Sequence, residues 1–172
     1  MTGAVLTTDR LRLRAPEPAD AAACVAYYTS DRRARADGRL TPDAAAERFA
    51  DACAHWTREG YGRFVVEDTA SGTVIGLIGP HCPAGYPEPE LAWHIWSDAA
   101  EGQGYAFEAA SAARAHAFET LGWTTAVSYI RPRNTRSRAL AARLGATRDA
   151  AADWPAEVGL HHCYRHTPEA RS

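Results

Sequence analysis

The run Glu90-Leu-Ala-Trp-His-Ile-Trp96 leads through Ser97-Asp-Ala-Ala-Glu101 into Gly102-Gln-Gly-Tyr-Ala106, and helix-forming residues follow at once. A Gly-x-Gly turn that opens a helix aims several free backbone N–H groups at one point, and the helix macrodipole adds about half a positive charge there. That is the chemistry of phosphate or pyrophosphate binding. Gly102 and Gly104 let a ligand approach the backbone closely, and Ala106 keeps the helix entrance narrow. The same residues also suit a tight strand-to-helix turn that holds no ligand. A dinucleotide fingerprint is poorly matched: its third glycine is Phe107, and the turn lies mid-chain after hairpins instead of in an opening βαβ unit.

Three further sets of residues bear chemistry. Asn134-Thr-Arg-Ser137 opens a second helix that closes at Arg143-Leu-Gly145, which puts Asn134 and Ser137 one turn apart at its mouth. Both also suit structural roles, Asn134 as an N-cap and Ser137 as a polar first-turn residue. Glu90 opens its strand after Pro87-Glu-Pro89. A partly buried carboxylate there is a candidate general base, although strand-end glutamates are often solvated or ion-paired; Glu88, between prolines, ranks below it. In His161-His-Cys-Tyr-Arg-His166, alternation puts His162, Tyr164 and His166 on one face and His161, Cys163 and Arg165 on the other. No second cluster with ligand spacing accompanies them, so no metal is expected.

Strand, glycine turn, helix, strand and Asn-x-x-Ser helix together resemble the GNAT superfamily of acyl-CoA N-acyltransferases, in its RimJ/RimL-like branch. The family turn is Gln or Arg, two residues, Gly, one residue, then Gly or Ala; here it stands as Glu101-Gly-Gln-Gly104-Tyr-Ala106. The resemblance covers nearly the whole chain, from Thr8-Asp-Arg-Leu-Arg-Leu-Arg14 to Tyr164-Arg-His166. It implies acetyl-CoA as cosubstrate, its pyrophosphate on the N–H groups of Gly102, Gln103, Gly104, Tyr105 and Ala106. It implies a strand splayed from its neighbour, with Ile95 and Trp96 pairing with the pantetheine and supplying an oxyanion N–H. Asn134 and Ser137 would contact the pantetheine or hold the thiol. Where many relatives carry a proton-donating tyrosine this chain has Ala141, which leaves Ser137 as the nearby hydroxyl, and Glu90 takes the place of the usual base.

The implied activity is transfer of an acetyl group to a primary amine, a protein N-terminus or a small amine, by direct attack in a ternary complex. Glu101 departs from the family pattern: a carboxylate beside a pyrophosphate repels it unless it points away or meets an arginine. Arg131, Arg133, Arg136 and Arg138 are a possible offset, each also an ordinary surface residue. Glu101 and Ala141 favour a rival class, a non-catalytic acyl-CoA-binding regulatory module of the same fold. An ATP-binding role is weaker, lacking a P-loop lysine.

The elements that must position these residues follow from pattern. Leu11-Arg-Leu-Arg14 alternates as a half-buried strand. Helices are expected from Asp20 to about Tyr28 and from Thr41, with Thr41 as N-cap and Pro42 at the first helical position, to a stop at Gly60. Ser30–Gly38 reads as a solvated loop. Tyr61–Glu67 and Thr73–Gly79 form a hairpin. Strands follow at Glu90–Trp96, Thr124–Ile130 and Gly159–His166, and helices at Tyr105–Leu121 and Asn134–Leu144. This order predicts an α/β (α+β) GNAT fold: a mixed, mostly antiparallel central sheet with splayed central strands, flanked by helices.

The chain has 172 residues, of which 46% are hydrophobic and 23% charged, so one domain over 1–172 with a sizeable core is expected. A net charge of −2 gives no bulk reason to bind nucleic acid or anionic membrane. All 19 basic residues are arginine, which excludes lysine and Schiff-base catalysis. The four cysteines are isolated, as expected of reduced buried thiols. No basic, apolar leader and no run of about 20 apolar residues is seen, which predicts a cytoplasmic protein. The expected partner is the amine acceptor; a homodimer is allowed, not required.

Overall fold

The computed structural model describes residues 3–156 and 159–168. Strands β1 (Leu6–Thr7), β2 (Leu11–Arg14), β3 (Phe64–Asp68), β4 (Val74–His81) and β5 (Glu90–Ile95) pair antiparallel in chain order. β6 (Ala126–Ile130) lies parallel to β5, and β8 (His162–His166) lies between β6 and β7 (Thr147–Asp149), antiparallel to both. The order β1-β2-β3-β4-β5-β6-β8-β7 is the expected mixed, mostly antiparallel sheet. Its one parallel pair exists because helix α4 (Tyr105–Ala115) carries the chain back across the sheet between β5 and β6.

Helices cover both faces. α1 (Ala21–Tyr28) and α3 (Pro42–Glu59) pack through Cys24, Tyr28, Ala45 and Phe49 against Val65, Leu77 and Trp96. α4 and α5 (Thr135–Arg143) pack on the opposite face through Ala109, Ala110, Ala113 and Leu140 against Phe64, Val66 and Ile78. α3 obeys its end signals: the Thr41 hydroxyl accepts from the Ala44 N–H at 3.2 Å, Pro42 begins the helix, and Gly60 closes it at φ +74°.

Two expectations are corrected. Ser30–Gly38 is not a loop, for α2 (Asp31–Ala36) forms within it, capped by the Ser30 hydroxyl and buried through Arg33. The helix expected to run to Leu121 is α-helical only to Ala115 and continues as a π-turn over His116–Thr120, so that the Leu121 N–H bonds the His116 carbonyl. Among the described residues, no helix is long and apolar enough to cross a membrane.

Candidate active site

β5 and β6 touch at one place. Glu90 pairs with Val127, whose N–H donates to the Pro89 carbonyl at 2.9 Å, and beyond that bridge the strands part. The Ser128 hydroxyl closes the joint by donating to the Leu91 carbonyl at 2.6 Å. Its oxygen then accepts from His166 Nε2 at 2.9 Å, which fixes His166 as the neutral Nε2–H form. Burial, with Arg114 adding to it, holds the His166 pKa down to about 4.

Pairing with β4 decides which backbone groups face the gap. The Trp96 N–H donates to the Ile75 carbonyl at 2.8 Å, so Trp96, and by alternation His94 and Ala92, turn their amides to β4. Ile95, of opposite parity, turns its backbone groups to the gap. Trp96 does not: its N–H is committed, and Trp93 supplies the second free set of backbone groups. The Trp93 side chain lies toward α5, where its indole N–H donates to the Ser137 hydroxyl at 3.2 Å and its ring meets His166 edge-on at 6.2 Å.

The glycine turn stands at the open end of this gap. Gly102 and Gly104 adopt φ +71° and +81°, a left-handed backbone that glycine enters without strain. Gly104 is the N-cap of α4, and no side chain caps the helix, so its first N–H groups stay available. Gln103 is exposed, while Tyr105 and Ala106 lean on the core. Arg10 fastens the turn from below: Nη1 donates to the Gln103 carbonyl at 3.0 Å, the guanidinium lies 4.4 Å from the Tyr105 ring centre, and Nε donates to Glu108 at 2.7 Å. Glu108 also accepts from the Thr8 hydroxyl at 2.6 Å. The Glu101 carboxylate accepts from Arg136 of α5 and lies 2.9 Å from Arg32 of α2. Of the other arginines near α5, Arg131 pairs with Asp37, Arg138 donates to the Tyr164 hydroxyl at 3.0 Å, and Arg133 is exposed.

Glu90 lies at the vertex of the gap, 8% exposed, on the face covered by α1 and α3. Its Oε2 is 3.3 Å from His81 Nε2, directly across the β4–β5 register, and its Oε1 is 3.5 Å from the Tyr129 N–H. Burial and the nearby Arg63 push the His81 pKa down, so His81 is neutral near pH 7. Glu88 is tied to Arg165 by two bonds of 2.6 and 2.9 Å, which lowers its pKa and takes it out of contention as a base.

On the opposite face, Asn134 is the N-cap of α5, accepting from the Ser137 N–H at 3.1 Å. The Ser137 oxygen accepts from Trp93, which leaves its own proton free to donate. Ala141 is fully buried against Ile130 and Tyr164 and offers no hydroxyl. The Cys163 thiol is pushed up to about 12 by burial and stays protonated. Among the described residues, no three His, Cys, Asp or Glu side chains gather as metal ligands.

The structure thus brings together the glycine turn, Ile95, Asn134, Ser137 and Glu90 around one gap, and adds Trp93, His81, Ser128, His166 and Arg10. Arg10 lies in the Thr8–Arg14 opening, Trp93 in the Glu90–Trp96 run and His166 in the histidine-rich end, but no sequence signal gives any of them this role. The others depend on strand register.

The family model described as an acetyltransferase (GNAT) domain matches residues 10–147. No curated protein matches the chain. Among solved structures, the acetyltransferase from Agrobacterium tumefaciens str. C58 is 34% identical with a TM-score of 0.89, over 98% of this chain and 96% of that one. The ribosomal-protein-S5-alanine acetyltransferase from Vibrio fischeri, at 15% identity and TM-score 0.73, covers 96% of this chain and 97% of its own. The ribosomal L7/L12 α-N-protein acetyltransferase RimL, solved with coenzyme A, aligns with a TM-score of 0.74 at 15% identity, over 95% of this chain and 98% of that one. At such identities the last two share the fold.

Proposed function

This chain belongs to the GNAT acetyltransferase family and is an acetyl-CoA-dependent acetyltransferase; from that premise we propose that it acetylates a primary amine by direct attack in a ternary complex, with Glu90 receiving the amine proton. One observation carries the proposal. The β5–β6 gap opens from a single bridge, with a buried carboxylate at its vertex on one face, a hydroxyl on the other, and an uncapped glycine turn at its mouth.

The residues present fit acetyl-CoA. The free N–H groups from Gly102 to Ala106 suit its pyrophosphate, and the unpaired backbone of Trp93 and Ile95 suits its amide-bearing pantetheine. When bound, it supplies an activated acyl thioester. Glu90 takes the proton that the amine must shed, directly or through water, and His81 orients the carboxylate by donating to it. A backbone N–H that faces the gap, at Trp93, stabilises charge developing on the acyl oxygen. Ser137, held by Trp93 and by the Asn134 cap, would donate a hydrogen bond to the departing thiolate, which at a pKa of about 8.5 can leave without taking a full proton. Glu101, the feature that favoured a non-catalytic module, is neutralised by Arg32 and Arg136.

Two measurements test the proposal. Acetyl-CoA at about 100 times Kd should add roughly 2.7 kcal/mol to stability, while NAD and ATP add nothing. Thiol release from acetyl-CoA should then depend on an added amine. Stabilisation by ATP or NAD with acetyl-CoA inert would end it.

A further inference from the structure

On the face that carries Glu90, two arginines are buried without a full complement of negative charge. Arg63, just before β3, is 6% exposed and has no ion-pair or side-chain hydrogen-bond partner among the described residues. It continues the β3 register opposite Gly79, its Cα 3.3 Å from where a Gly79 Cβ would lie, so that on this face it stands between His81 and the Leu77–His94 pair. Those histidines share one face with Glu90: His81 stands opposite it in β4, and His94 lies further along β5. Arg33 of α2 is 5% exposed, and its Nε is buried with no partner. Its Nη2 reaches Asp37 at 2.6 Å, but Arg131 draws on the same carboxylate. Arg33 lies over the Tyr28 ring at 5.3 Å, and Tyr28 meets His94 at 5.7 Å. The Tyr28 hydroxyl and His94 Nδ1 are likewise buried without partners.

Elsewhere the same face neutralises its buried charge. The buried Arg14 is matched by Asp20 and Glu67, and even the part-buried Arg165 by Glu88 and Asp149. Around Glu90 and His94 four guanidinium groups (Arg33, Arg63 and Arg131, with the exposed Arg48 5.7 Å from the Tyr28 ring) face two carboxylates (Asp37, Glu90), with the histidines neutral. A buried guanidinium is costly unless an anion meets it, and its planar fork matches a carboxylate or phosphate in particular.

We propose that the acceptor carries its own anionic group close to the reacting amine, as a free amino acid does, and that Arg33 and Arg63 bind that group. The inference rests on the amine acetylation proposed above and narrows it to small amines that bear an acid. Arg63 places the anion near His81 and His94, which keeps the amine beside Glu90. Arg33 releases part of its hold on Asp37 to complete the contact.

The test compares acceptors with and without the anion, each kcat/KM referred to the unprotonated amine because a neighbouring carboxylate raises the amine pKa. With wild-type protein, thiol release from acetyl-CoA is measured for glycine against glycinamide, L-glutamate against its diamide, and 2-aminoethylphosphonate against propylamine. Spermidine and a Ser-initiated tetrapeptide are run beside them. The acid member should be preferred by about 100-fold or more in kcat/KM, since a site built for a charged group rejects the analogue that lacks it. The carboxylate and phosphonate arms show which anion fits. Arg63→Gln and Arg33→Gln should each collapse the preference, chiefly through KM, and Arg63→Lys should restore part of it. Equal or better use of the amides, spermidine or the peptide overturns the inference while leaving amine acetylation standing. A preference that survives in both glutamine variants also overturns it. No thiol release with any amine overturns amine acetylation and this inference together.

Discussion

Arg136, on the first turn of α5, grips the Glu101 carboxylate across the mouth of the β5–β6 gap, and Arg32 of α2 meets the same oxygen at 2.9 Å. The residue that breaks the family's turn pattern therefore recruits two guanidinium groups to the place proposed for the pyrophosphate, and in that proposal Glu101 stands in part where the ligand's charge would be.

Replacing Glu101 with Gln should leave both arginines free for the phosphates. Acetyl-CoA Kd should fall about 3- to 10-fold at low salt, a gain of roughly 1 kcal/mol as expected for a partly exposed charge pair. The advantage should shrink as ionic strength rises. Calorimetry at two salt concentrations checks it. A weaker Kd would mean that Glu101 serves chiefly to hold the arginines in position.

Arg10 binds no ligand in this account, but it fixes the turn through the Gln103 carbonyl, the Tyr105 ring and Glu108. Arg10→Ala should cost less than about 1 kcal/mol of stability, because its ion pair is half exposed. It should nevertheless raise acetyl-CoA Kd about 5- to 10-fold by loosening a pre-organised site. Equal affinity in the variant would show that the turn holds its shape unaided.

Much of this arrangement is written locally. Thr41, Pro42 and Gly60 mark the ends of α3 by their own conformational limits, and Gly102 and Gly104 announce a left-handed turn because few other residues enter one. What was hidden depends on partners distant in sequence. α2 looks like a solvated loop because its residues are charged, and only contact with Tyr28 and Asp37 buries Arg33. Trp93 rather than Trp96 faces the gap because pairing with β4 sets the parity of the β5 amides. The contact of His81 with Glu90 has the same origin, for nothing near either residue specifies that register.

Acid should weaken the fold through its histidines. Burial lowers the pKa of all seven, His166 to about 4. Well above pH 6.5, from about pH 7.5, both folded and unfolded chains hold neutral imidazoles, and these groups add no pH dependence. As pH falls from there toward 4, the unfolded chain takes up protons that the native state refuses, so stability drops, by up to about 3 kcal/mol for His166 alone. His166→Gln keeps a donor for Ser128 and should flatten that part of the fall. Urea midpoints at pH 7.5, 6 and 5 measure it; identical slopes in both proteins would contradict the assignment.

The most direct test of the central claim is the rate of amine-dependent thiol release by Glu90→Gln against wild type, followed from pH 7 to 10. Glutamine keeps the size and the contact with His81 but removes the base. The account predicts that kcat near pH 7 falls by about 100-fold or more while acetyl-CoA affinity is nearly unchanged. It also predicts that the gap narrows at high pH, where more amine is already deprotonated. Full turnover by the variant near pH 7 would contradict it, as would a loss that tracks an equal loss of thermal stability.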